Sequence, residues 1–431
     1  MHISVSVRSM VAAVLLPVSL IAAWSTHAIE PTASSSWRQF RGENGIASVS
    51  TCNVPLPWTD TDVAWSRELP GKGNSSPIVA GNQIFLMSAD ADSAERYVLA
   101  YDLASGEEKW RKNYPSVPHH LHARSSYASC TPCANDQAMF TAWAAPESLI
   151  LKAFDHAGNE LWTRDDLGRF VSQHGFGASP VLFGDRLVLF NSQASEQLPP
   201  GVEPGQSRVM CFDAASGKTL WDTPLTTTRV CYGVPRRFTD VSGKEALLFC
   251  NTGDGLFALE LETGKPLWNR SMLTKRSVSS PVIVGDLAFC SEGSGGGGNI
   301  LFAVDLKGEH EIVFKVDRAA PYVPTPVAKD DLLFLWSDDG IVSCIKLPEN
   351  KVLWKERVGG NVSSSPLIAG DKLLGIAEDG TLTVLAASAE FKEFGTVKLE
   401  DTVRATPLLH EDYVLIRTDS KLICVGKPKT E

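Results

Sequence analysis

The sequence predicts an all-β protein: an eight-bladed β-propeller of four-stranded blades, its ring closed by an N-terminal strand that joins the C-terminal blade. Three observations predict it. First, a short alternating apolar run, an acid, a Gly three or four residues on and a Trp four residues after the Gly recur at 97–110, 150–162, 209–221 and 256–268. Second, a small residue before Pro opens each unit: Ser76-Pro77, Thr131-Pro132, Ser179-Pro180, Val234-Pro235, Ser280-Pro281, Thr325-Pro326, Ser365-Pro366 and Thr406-Pro407. These marks follow one another at intervals of 40 to 55 residues, enough for four short strands and their turns. Third, the last unit stops after 422–425 without a Trp strand, while residues 63–69 form a Trp strand with no hairpin before it. A lone hairpin cannot bury a Trp, so the copies must stack.

In chain order, residues 1–28 read as an export signal, with Arg8 as its positive end, a short apolar core at 11–23 and a cleavage site at Thr26-His27-Ala28. The core is too short for a comfortable membrane span, and no Cys follows it as a lipid site. Residues 29–62 are a lead-in whose aromatics suggest packing on the propeller, which itself occupies 63–426. A short tail, 427–431, closes the chain. Within a unit, Pro stands at the first strand residue, where no ladder donor is needed. Gly81-Asn82, Gly184-Asp185, Gly285-Asp286 and Gly370-Asp371 make the first hairpin turn. Asp254-Gly255, Asp339-Gly340 and Asp379-Gly380 make the second, and the acid-to-Gly turn leads into the outer strand. Trp65, Trp110, Trp162, Trp221, Trp268 and Trp354 are expected as structural docking residues between blades, with Phe314 and Phe394 as substitutes.

This unit resembles the pyrroloquinoline-quinone-type (PQQ-type) β-propeller repeat over about residues 63–426. The lead-in Trp37-Arg38-Gln39-Phe40-Arg41-Gly42 resembles that of exported bacterial members, as do the phrases at 71–77 and 172–177. The resemblance implies eight blades locked by Trp residues docking on the neighbouring sheet. It leaves function open, because the family holds both quinoprotein dehydrogenases and a non-enzymatic lipoprotein of the outer-membrane β-barrel assembly machinery. The enzymes clamp their cofactor against a ring formed by adjacent cysteines, and this chain has no Cys-Cys pair. Their Asp base and their Glu and Asn calcium ligands lie in insertions for which this compact chain has no counterpart, so no catalytic residue is carried over. The favoured reading is a non-catalytic binding or interaction scaffold, periplasmic or secreted, and monomeric. The alternative is a quinoprotein dehydrogenase that oxidises an alcohol or sugar with PQQ and calcium.

The formal charge of -10, one unit more negative without the export signal, disfavours nucleic acid as a partner. An envelope protein or a small anionic ligand is expected instead. In this blade order the segments before each Pro mark gather on one face around the channel. They carry Lys72, Arg124, His174, Arg229, Arg276 and Arg404, a ring of cations that would draw an anion into the channel mouth unless nearby acids pair with them. A hydrolase or lyase using His174 is a third reading, resting on that one residue. His119-His120-Leu121-His122 is either a metal-binding cluster or a His-containing loop. Residues 294–299, with four consecutive Gly, read as a long hairpin loop that can border the same mouth. The nine cysteines include one close pair, Cys130 and Cys133, for which a local or longer-range disulfide and two buried thiols are both open. Cys211, Cys344 and Cys424 fall where other copies have Ala and read as small buried strand residues.

Overall fold

The computed structural model describes residues 1–2, 37–145 and 147–428. Beyond its first two residues, the expected export signal lies outside the described residues, as do 29–36 of the lead-in and 429–431 of the tail. Eight antiparallel four-stranded sheets follow one another around a ring. Blade 1 runs from the channel outward through Ile78–Ala80, Gln83–Ala89, Arg96–Asp102 and Glu108–Tyr114. Blades 2 to 6 repeat that order, from Cys133–Ala134 to Lys351–Arg357, and blade 7 spans Leu367–Ala369 to Glu393–Lys398. Blade 8 takes three strands from the C-terminus, Leu408–Leu409, Tyr413–Arg417 and Lys421–Gly426. Its fourth is Val63–Glu68, antiparallel to Lys421–Gly426 with Trp65 opposite Cys424. The middle strands of a blade are covered on both faces by neighbouring blades, which is why Ile84, Phe85, Leu86 and Met87 are all buried although they alternate in direction.

The register explains the recurrent Trp. A β-bulge in the outer strand places Trp110 opposite Ala100, Trp162 opposite Ala153, Trp221 opposite Cys211 and Trp354 opposite Cys344. The small partner leaves room for the indole. Each ring then leans onto the acid-to-Gly turn of the next blade. Nε1 of Trp65, Trp110, Trp162 and Trp221 donates to the carbonyls of Leu103, His156, Ala214 and Leu261 at 2.9–3.1 Å. Trp354 reaches the Ser388 carbonyl in the same way. Trp268 differs: its Nε1 turns to Asp240 of its own blade at 3.2 Å, and its ring stacks on His310 with centroids 3.9 Å apart. Phe314 takes the slot opposite Ala303. Phe394 does not take the corresponding slot: it is the bulge residue, Gly395 stands opposite Val384, and Pro57 of the lead-in packs there.

The small residues before Pro form a second ring at the channel wall. The backbone N–H of Ser76 donates to Thr131 Oγ1, Thr131 to Ser179 Oγ, Val234 to Ser280 Oγ, Ser280 to Thr325 Oγ1, Thr325 to Ser365 Oγ, Ser365 to Thr406 Oγ1, and Thr406 back to Ser76 Oγ. Each bond, 2.9–3.1 Å long, ties one blade to the next. The step from Ser179 to Val234 lacks one because Val has no hydroxyl.

The lead-in crosses one end of the channel. Trp37 O, Arg38 O and Gln39 Oε1 accept from Val79, Ala134 and Leu182 on the inner strands of blades 1, 2 and 3. Asn44 pairs with the backbone of Arg237 in blade 4. Ser48–Val49 lies parallel to Leu367–Ala369 as a fifth strand of blade 7.

All nine cysteines are free thiols, eight of them buried. The local disulfide left open for Cys130 and Cys133 is not formed. Both side chains pack in the core shared by blades 1 to 3, and burial pushes the Cys130 thiol up to about 12, so neither is a poised nucleophile.

Candidate functional site at the channel mouth

Antiparallel order fixes what meets at each end of the channel. The connections between blades and the turns between second and third strands share one face; the lead-in plugs the other. Between them lies a cavity of about 600 Å³. All eight residues of the pre-Pro ring line it, and Phe40 of the lead-in joins them at the plugged side. It is therefore a cup and not a through-channel.

Of the cations expected here, Arg124, His174, Arg276 and Arg404 line the cavity; Lys72 and Arg229 are not among its lining residues. Most are paired, as the alternative reading of ordinary loop charges requires. Glu378 bridges Arg124 and Arg404 at 3.6 and 3.5 Å, and Asp419 lies 3.8 Å from Arg404 and 3.9 Å from Lys72. Arg276 is different. Its Nε donates to the Val230 carbonyl at 2.9 Å and Nη1 to Nε2 of His174 at 3.2 Å; Tyr322 is a further side-chain neighbour. Among the described residues no carboxylate lies within ion-pair distance of it. His174 stacks on His122 with centroids 4.9 Å apart. Burial first, then Arg276, His122 and His120, lower the His174 pKa to about 4.

Several lining residues carried no sequence signal of their own. Tyr232, Tyr322 and Asp338 are among them. Asp338 accepts the backbone N–H groups of Tyr322 and Val323 at 2.6 and 3.0 Å, and burial raises its pKa. It precedes the Asp339-Gly340 turn, and Glu378 precedes Asp379-Gly380, so the second hairpin turns were the signal available for both. The loop at 294–299 lines the cavity through Ser294, Gly295, Gly297, Gly298 and Asn299.

The described residues contain no group of three or more His, Cys, Asp or Glu side chains arranged to hold a metal. His119, in the stretch read as either a metal cluster or a His-containing loop, stands edge-on to Tyr127. For calcium-bound PQQ the fit is poor. Of the three carboxylates that line the cup, Asp338 spends its oxygens on backbone donors and Asp339 is tied to Ser337 and Arg357, which leaves the exposed Asp317 as a single candidate ligand.

Eight four-stranded blades locked by docked Trp residues, with a plugged cup at the centre, define a PQQ-like β-propeller repeat protein. The family model described as outer membrane protein assembly factor BamB matches residues 37–139, 147–312 and 317–392, and the chain belongs to that family. BamB of Burkholderia pseudomallei is 22% identical over 282 residues, 64% of this chain and 65% of that protein, so the match spans less than two thirds of the relative's length. The structure of BamB from Moraxella catarrhalis matches with a TM-score of 0.61 at 14% identity, covering 84% of this chain and 97% of that one. Quinohemoprotein alcohol dehydrogenase from Comamonas testosteroni gives 0.62 at 13% identity, covering 92% and 81%. Identities this low show a shared fold, and that fold carries both binding proteins and enzymes. No helix of the described residues is long and apolar enough to cross a membrane.

Proposed function

We propose that this protein is an exported, non-catalytic interaction scaffold of the bacterial envelope whose channel mouth receives a carboxylate. Membership of the BamB family supports the scaffold part of this reading. The observation that carries the ligand part is Arg276, a cation in the wall of a deep cup with no carboxylate partner among the described residues. A guanidinium offers two parallel donors to a carboxylate. The neutral His174 beside it turns the fork without competing for charge.

Calorimetric titration of the mature protein with acetate, succinate and citrate tests this. Saturable binding is expected for at least one, weakened about tenfold or more in Arg276→Ala. Lys72→Ala and Arg229→Ala, outside the cavity, are expected to bind as the parent does. Equal affinity of parent and Arg276→Ala for every anion would remove the mouth from consideration. Dye reduction with an alcohol in the presence of PQQ and calcium would replace the scaffold reading with the quinoprotein one.

A further inference from the structure

Four arginines lie almost wholly inside the propeller: Arg41, Arg96, Arg236 and Arg417. A guanidinium does not give up its charge, so each needs acceptors where it is buried. Arg96 donates to the carbonyls of Ala94 and Ala144 at 3.1 and 2.7 Å. Arg417 donates to those of Ser75, Met87 and Thr418. Arg41 donates to those of Thr325, Pro326 and Pro366 at 2.9–3.3 Å. Arg236 breaks the pattern. It is 8% exposed, and among the described residues its guanidinium makes no hydrogen bond or ion pair; Nε is shielded without a partner, as it is in Arg41 and Arg96, but here the terminal nitrogens lack one too.

Its surroundings sharpen the anomaly. Arg236 opens the inner strand of blade 4, and the lead-in turn at 41–47 lies against that strand. Asn44 Oδ1 accepts from Arg237 N at 2.7 Å, and a Cβ on Gly45 would fall 3.1 Å from Arg236 Nη1. Arg41 belongs to the same turn, closed by the bond from Ala47 N to Arg41 O. Two guanidinium groups thus share the plugged end of the channel. Glu43, the acid of that turn, is exposed and pairs with neither among the described residues. By contrast Arg38, also in the lead-in, meets Asp136 at 2.5 Å.

We infer that the plugged end of the channel is a binding site for a small inorganic oxyanion of the phosphate or sulfate type, held by Arg236 against the lead-in turn at 41–47. The ion supplies the negative charge and the acceptors that Arg236 lacks, and the second guanidinium favours a doubly charged ion over a singly charged one. It adds one more tie between the lead-in and blade 4, beside the bonds that Asn44 makes with Arg237. The site is separate from the mouth, since neither Arg41 nor Arg236 lines the cup.

Phosphate titration of the full mature chain at low ionic strength tests this, in an Arg276→Ala background so that the mouth does not contribute. One saturable site is expected, with a rise in Tm of about 2 °C or more near saturation. Arg236→Met in the same background is expected to lose the rise, and Arg236→Lys to keep part of it. An equal phosphate-dependent rise with and without Arg236 would overturn the inference. Should Arg236→Met fail to fold, crystals of the parent soaked in selenate decide the matter. An anomalous peak within hydrogen-bond reach of Arg236 supports the site, and its absence there refutes it. Failure here leaves the carboxylate reading of Arg276 intact, because different variants report on the two.

Discussion

Nη1 of Arg276 lies 3.2 Å from Nε2 of His174, and the imidazole must accept, because a guanidinium only donates. The proton of the neutral ring therefore sits on Nδ1, which is buried without a partner. Protonating this ring would set a second positive charge against Arg276. Burial first, then that contact and the two neighbouring histidines, lower its folded-state pKa to about 4, against 6.5 in the unfolded chain. Between those values the unfolded state binds more protons, so stability falls as pH drops from 6.5 toward about 4. The ring is half-buried and screened, so the loss is expected to be about 1 kcal/mol. Urea unfolding at neutral pH and near pH 5 measures it. His174→Gln should be the less pH-sensitive protein, and equal sensitivity would rule out His174 as the source.

Two glycines of similar backbone separate Trp docking from turn strain. Gly184 and Gly264 have φ of 65° and 68°. A Cβ on Gly184 meets nothing within 4 Å, while on Gly264 it would lie 2.5 Å from the Trp221 ring. Gly184→Ala is expected to cost about 1–2 kcal/mol, the left-handed penalty alone. Gly264→Ala should cost distinctly more, because the indole of blade 3 must move off blade 4. Equal losses in denaturant would show that docking contributes little.

The ring of hydroxyls makes its own prediction. Thr406→Val keeps the shape of the side chain but leaves the Ser365 N–H without its acceptor. Deleting a buried acceptor costs about 1–3 kcal/mol. Thermal unfolding should show the lower Tm without a change in the secondary structure seen by circular dichroism.

Removing residues 63–69 takes the fourth strand from blade 8 and Trp65 from its seat on blade 1. Each blade buries its apolar middle strands on two neighbours, so an open ring exposes two blade faces together. One cooperative loss of structure is expected. Separate melting of individual blades, read by calorimetry, would argue against ring cooperativity.

Repetition made the fold legible in the sequence. The spacing of Trp, Gly and Pro fixed the number of blades, and the orphan Trp strand pointed to blade 8. The one misassigned slot, Phe394, shows the limit of that reading. The slot follows the same bulge in blade 7 as in the other blades, but Gly395 occupies it, and Pro57 of the lead-in, more than three hundred residues away in sequence, packs there instead. The lead-in carried a recognisable phrase, yet nothing in it announced that it would cross the channel, because its partners include inner-strand backbones from five blades.

The candidate site was legible only as a list of loop cations. Which of them are free was decided by acids distant in sequence: Glu378 takes Arg124 and Arg404, while Arg276 meets only a carbonyl, a hydroxyl and a neutral imidazole. Charge pairing depends on distances of a few ångströms across blade boundaries, and a linear pattern does not encode them. The sequence by itself determined the architecture, since its periodic marks act locally within each hairpin and repeat in register. Tertiary structure alone decided the chemistry of the cup and of the plugged end. Both are built where the separate blades and the lead-in converge on one axis, and there burial and charge balance are set by residues up to about three hundred positions apart.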